Sequence, residues 1–189
     1  MNQTQSFHLV LAGPRAVGKT TIGKAISAAW SRPFVDLDDR VLQTFENQTV
    51  SDVWDVHGEL AWREAEKRVL ASVLSEPPSV IALGGGVPTI QEAADCLNET
   101  RSSGSAIVIW LKADPAVLES RLIRASGDRP SLTGQSPAEE IAEVSASREE
   151  AYRAISDHQL DVGEMDLETI LGRISRMAHE DNSGSKDQA

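Results

Sequence analysis

Eight consecutive residues restrict this chain more than any others: Gly13-Pro14-Arg15-Ala16-Val17-Gly18-Lys19-Thr20, a G-x-x-x-x-G-K-[ST] run. It follows an apolar run, Phe7 to Ala12, and opens a helix-length stretch reaching about Trp30. The motif therefore sits between a strand and a helix, where its mechanism needs it. The glycines let the backbone curl until its N–H groups face a phosphate, and the helix N-terminus adds a favourable field. Lys19, read as solvent-facing in the empty loop, can reach the β- and γ-phosphates, and the Thr20 hydroxyl can ligate Mg²⁺. Gly13, Ala16, Val17, Gly18, Lys19, Thr20 and Thr21 are the candidate nucleotide contacts, with ATP and Mg²⁺ as the implied cofactors.

The rest of the chain continues the alternation that this start implies. Apolar runs at Pro33–Leu37, Val80–Leu83, Ala106–Leu111 and His158–Val162 are separated by amphipathic, helix-length segments. Ser51 is read as the N-cap of a short helix, with a longer helix over about Gly58–Leu74 that Pro77-Pro78 ends. Asp114-Pro115, Ser136-Pro137-Ala138-Glu139 and Asp166 each read as a helix start. Strands without polar alternation, joined by helices, predict a parallel sheet covered on both faces. The fold class is thus α/β: a three-layer α/β/α sandwich on a five-stranded parallel sheet, of the P-loop kinase type. One domain is expected over 1–178, with a loop-like segment at about 125–136 and a disordered tail over 179–189.

Three further sets of residues carry chemistry. Asp36-Leu37-Asp38-Asp39 closes the second strand, and alternation along a strand would put Asp36 and Asp38 on one face. Ligands in such sheets lie beyond the strand carboxyl ends. Asp36 is accordingly the candidate metal-side acid beside Thr20, and Asp38 the group that orients or deprotonates an attacking hydroxyl. Capping a helix is the other role open to these acids. Arg63, Arg129 and Arg148 are widely separated, and each can grip a carboxylate or phosphate. Gly84-Gly85-Gly86 at a strand end would let backbone N–H groups approach a ligand.

The ordered set resembles the shikimate kinase family from about Phe7 to Ala178. The resemblance rests on the phosphate loop, D-x-D at Asp36 and Asp38, Trp62-Arg63-x-x-Glu66, Gly84-Gly85-Gly86, the lid Arg129-Pro130-Ser131-Leu132-Thr133-Gly134, and Arg148-x-x-x-Tyr152. It implies ATP-dependent phosphorylation of the 3-hydroxyl of shikimate, on the route to chorismate and the aromatic amino acids. It also implies roles. Lys19, Asp38 and Arg129 would be catalytic, and Arg121 would lie near the adenine. Asp38 would hold the ring hydroxyls, Arg63 and Arg148 the carboxylate, and Gly84, Gly85 and Gly86 would contact the substrate through backbone. Trp54 and Trp62 would line the pocket. The sequence departs from the family at Trp62, usually Phe, at Ser131, usually Leu, and in Gly163-Glu164-Met165-Asp166, which lacks a common proline. The competing readings are another P-loop kinase of a small molecule, such as a gluconate kinase, and a ligand sensor without turnover.

Charge narrows the partners. A net charge of -11 disfavours nucleic acid and anionic membranes, so the positive field for an anionic substrate must be local. The lone cysteine, Cys96, allows no internal disulfide and fits a cytoplasmic location. No apolar run approaches the ~20 residues that span a bilayer. A monomer is expected.

Overall fold

The structure is a computed structural model, and it describes residues 7–46, 49–124 and 143–184. Five strands, β1 (His8–Ala12), β2 (Phe34–Asp36), β3 (Val80–Ala82), β4 (Ala106–Lys112) and β5 (His158–Asp161), form one parallel sheet in the order β2-β3-β1-β4-β5. In register, Leu11 lies beside Ala82 and Val10 beside Val108. β1 is central, and the chain changes its direction of travel across the sheet there. The loop after β1 therefore opens at the crevice where sheets of this kind bind ligands.

Alternation on β1 divides two cores. Leu9 and Leu11 face one side, packed with Ile22, Ile26, Ile109 and Ile174. Val10 and Ala12 face the other, with Leu37, Val53, Trp62, Val108 and Tyr152. Each core is roofed by helices. α1 (Lys19–Trp30) and the C-terminal helix cover the first core, while α2 (Leu37–Gln43), α3 (Val50–Leu74) and α4 (Gln91–Ser102) cover the second. The three-layer sandwich read from the sequence is the fold.

α5 (Pro115–Arg124) starts as expected, with Asp114 Oδ1 accepting from Ala116 N at 2.8 Å. α6 (Glu149–Ile155) follows a helical stretch at 143–147. In α7 (Leu167–Gly184) Asp166 Oδ1 accepts from Thr169 N at 2.7 Å.

Two local expectations change and one holds. The cap of α3 is Thr49, not Ser51. Its hydroxyl accepts from Asp52 N at 3.1 Å and Asp52 Oδ2 returns the bond to Thr49 N at 3.0 Å, a complete capping box. α3 is broken at Gly58, at φ 80° and ψ 165°, where the second helix was expected to begin. α7 runs to Gly184, past residue 179 where the tail was expected, and His158 Nε2 meets Asp181 Oδ2 at 2.7 Å. The lid segment, Arg129 within it and the helix start at Ser136 lie outside the described residues. Among the described residues no helix is long and apolar enough to cross a membrane.

Candidate functional site

The phosphate loop leaves β1 through Gly13 and enters α1 through Gly18. Gly18, the N-cap of α1, has φ 106°, a conformation that L side chains rarely adopt, and no side chain caps the helix. This helix N-terminus, uncapped by any side chain, thus stands at the cleft, where its dipole favours a phosphate. Ala16 is also left-handed, at φ 64°. Lys19 does not face solvent as expected. Its Nζ folds back onto the loop, donating to Gly13 O at 2.8 Å and Pro14 O at 2.9 Å.

The loop forms one wall of a cleft of about 530 Å³ that residues 15–22, Asp36, Asp38, Gly85 and Arg121 help to line. Arg121, on α5, donates to Val17 O at 3.2 Å and to Val162 O and Gly163 O at 3.1 and 3.0 Å. It therefore ties the phosphate loop to the segment after β5. That segment contributes Met165 and Leu167 to the same cleft, giving it an apolar end remote from Asp38.

The acids stand in the cleft for a different reason from the one expected. The strand stops at Asp36, and Asp36 is the N-cap of α2, its Oδ1 accepting from Asp38 N at 3.2 Å. Asp38 therefore belongs to the first turn of a helix and shares no strand face with Asp36. Both still reach the cleft. Asp36 Oδ2 accepts from the Thr20 hydroxyl at 2.7 Å, joining the two metal candidates directly. Burial pushes the Asp36 carboxyl up, the Thr20 hydrogen bond opposes it, and the charges of Asp38 and Asp39 add to the rise. A hydroxyl and a carboxylate among crowded acids are hard oxygen donors that suit Mg²⁺. Among the described residues no three His, Cys, Asp or Glu side chains converge, so such an ion would draw its remaining ligands from phosphates and water.

A second cluster adjoins the first across the triple glycine. A Cβ at Gly84 would lie 2.5 Å from Asp38 Oδ1 and 2.7 Å from Glu66 Oε1, so only glycine lets the two carboxylates flank this backbone. A Cβ at Gly86 would strike the guanidinium of Arg63. Gly85 lies near Arg148, whose Nη1 would be 3.7 Å from an added Cβ, and its carbonyl accepts from Tyr152 OH at 2.7 Å. Two arginines distant in sequence thus meet at neighbouring glycines. Burial pushes the Tyr152 phenol up to about 12, which keeps it a hydrogen-bond donor here.

Glu66 is the residue whose role sequence reasoning did not assign. It is 1% exposed, and its Oε2 accepts from Arg63 Nη1 at 2.8 Å. Burial pushes its carboxyl up, Arg63 pulls it back, Asp38 raises it further, and a hydrogen bond from Trp62 lowers it. The signal was present in the motif. Residues three and four apart share a helix face, so an acid three after Arg63 stands beside it. Trp62 is only 3% exposed and stacks on Phe45 at 6.3 Å, and it hydrogen-bonds Glu66. Trp54 does stand at the site, its ring 5.9 Å from the Arg63 guanidinium.

Three comparisons with known proteins bear on this arrangement. A family model described as shikimate kinase matches residues 15–178. A protein named shikimate kinase from Rhodopirellula baltica is 36% identical over 183 residues, covering 94% of this chain and 93% of that one. Another, named shikimate kinase 2, from Syntrophotalea carbinolica, is 42% identical over 160 residues, covering 84% and 88%. Among solved structures, the shikimate kinase of Acinetobacter baumannii in complex with shikimate superposes with a TM-score of 0.83. It is 22% identical over 93% of this chain and 95% of that one, which speaks to the fold.

Proposed function

The chain belongs to the shikimate kinase family, and we propose that it transfers the γ-phosphoryl group of ATP to the 3-hydroxyl of shikimate, giving shikimate 3-phosphate and ADP. The observation that carries this reading is the meeting of Arg63 and Arg148 at Gly86 and Gly85, against a cleft that Asp38 shares with the phosphate loop. An anionic ring bearing hydroxyls needs both a cationic grip and an acid, and here they sit on either side of one turn.

The residues divide the work by position. The open N-terminus of α1 and Lys19 hold the phosphates, Lys19 leaving Gly13 O and Pro14 O to do so. Arg63 and Arg148 take the substrate carboxylate, with Glu66 holding the Arg63 guanidinium at its buried side. Asp38 accepts from the ring hydroxyls and orients the attacking one toward the phosphate. Thr20 and Asp36 would hold Mg²⁺, which when bound neutralises charge across the phosphates. Arg129 is proposed to close with the lid and steady the transferring group, and Arg121 to serve the adenine end. The single thiol supports a reducing cytoplasm as the site of action.

The test is an ADP-release assay with ATP and Mg²⁺ against shikimate, gluconate and no acceptor. Release should depend on shikimate and yield a phosphorylated product by mass. Release that gluconate stimulates equally, or that needs no acceptor, would remove the assignment.

A further inference from the structure

The guanidinium that should receive the substrate carboxylate is already met by two carboxylates of its own helix. Arg63 Nη1 donates to Glu66 Oε2 at 2.8 Å, while Nε and Nη2 converge on one oxygen, Glu59 Oε1, at 3.2 and 2.9 Å. The two acids are unlike. The Glu66 side chain is 2% exposed and the Glu59 side chain 55%. The buried contact cannot open without stranding a charge, whereas the exposed one costs little to break. The edge Glu59 occupies, Nε with Nη2, is one along which arginine grips a carboxylate through two parallel hydrogen bonds.

The backbone beneath Glu59 is built to let it go. Gly58, immediately before it, interrupts the helix, and nothing lies within 4 Å of where its Cβ would be. The break is therefore open on that face, although His57 before it packs on Phe45, with ring centroids 5.3 Å apart. Val56 and Leu60 on either side are 68% and 84% exposed. Once withdrawn from Arg63, Glu59 still sits in the first turn of the helical segment that restarts after Gly58. A negative charge in the first turn of a helix is favoured by the helix dipole, which offsets part of the lost contact.

We propose that Glu59 is an internal competitor for the substrate carboxylate: it fills the Nε–Nη2 edge of Arg63 in the empty enzyme and is displaced when shikimate binds. Glu59 then sets affinity without touching the reacting atoms, while Glu66 remains in place. The proposal rests on the reading of Arg63 as the carboxylate grip. An edge occupied in about 80–90% of molecules lowers apparent affinity about five- to tenfold.

Glu59→Gln keeps the size of the side chain, removes its charge and, at an exposed position, should leave the fold intact. With the full chain at saturating ATP, KM is measured for shikimate and for a shikimate analogue lacking the carboxylate. The KM for shikimate should fall about five- to tenfold in the variant, because the competent fraction rises. The KM values for the analogue and for ATP should not move, since neither competes for that edge. Glu59→Ala should act in the same direction. A shikimate KM that is unchanged or raised in both variants would make Glu59 a bystander or a prop and overturn the proposal, as would an equal fall for the analogue. Absence of transfer to shikimate by the wild type would instead overturn the functional reading, and the competitor with it.

Discussion

Lys19 shows how a single side chain is prepared for a ligand. Its ammonium is held by two carbonyls of its own loop, Gly13 O and Pro14 O, so it stays near its working position without a phosphate. Lys19→Ala should leave the fold intact and lower kcat at least 10²–10³-fold, the usual cost of removing a group aimed at transition-state charge. Near-normal turnover by a folded variant would end the kinase reading. Asp36 supports a second test at this scale. Its carboxylate is the one described acid in direct hydrogen bond with the Thr20 hydroxyl. Asp36→Asn keeps the shape and the N-cap acceptor but halves the hard-oxygen character of the pair. The Mg²⁺ concentration needed for half-maximal rate should rise by about an order of magnitude, the usual cost of altering such a supporting group. Superimposable metal titrations of variant and wild type would detach Asp36 from the metal.

At the scale of elements, the turn after β3 decides whether the two arginines can meet. Gly86 has φ −95° and ψ −15°, a backbone that alanine adopts without strain. Gly86→Ala therefore acts only through its methyl group, which would displace the Arg63 guanidinium. The KM for shikimate should rise about tenfold or more, on the scale of one charge-assisted hydrogen bond. ATP affinity in the absence of shikimate and the melting temperature should hardly change. Equal losses for both substrates would place Gly86 in the fold and not in the carboxylate site. The phosphate loop was legible because its residues are contiguous and its geometry is local. The acids were misplaced because β2 is three residues long and the Asp36 side chain starts a helix at once. A strand period extended by two residues predicts the wrong face. The meeting of Arg63 with Arg148 was legible only through the family's ordered motifs, since no periodicity relates residues on α3 to those beside α6.

Across the whole molecule, chemistry gathers at the carboxyl ends of the strands, and the opposite end of the sheet carries stability. His8, on β1, is 3% exposed there. Its Nδ1 lies 3.3 Å from Ser79 N, which donates to it, and 3.2 Å from Ser79 Oγ. No sequence pattern announced this pair, because the partner arrives with β3 from a distant part of the chain. Since Nδ1 accepts a backbone N–H, a second proton there would face a donor. Burial is the main reason that the folded pKa lies below the ordinary 6.5; the Arg32 charge adds to the fall, while hydrogen bonds to the Leu74 and Glu76 backbone and the Glu76 charge oppose it. The sign follows from proton counting. Above about pH 6.5 neither state holds the extra proton, and His8 contributes no slope. Below it the unfolded chain takes up a proton that the folded protein refuses, so stability falls until the folded pKa is reached. Each unit of depression removes about 1.4 kcal/mol. His8→Asn places an amide oxygen near Nδ1 and cannot titrate. Urea unfolding at pH 8 and at pH 5.5 should show the wild type losing more stability between the two than the variant does. Kinetic constants at pH 8 should coincide, because His8 lies at the far end of the sheet from the cleft. Parallel losses in the two proteins would mean that His8 is protonated as readily folded as unfolded, and that the Ser79 N–H does not hold it neutral.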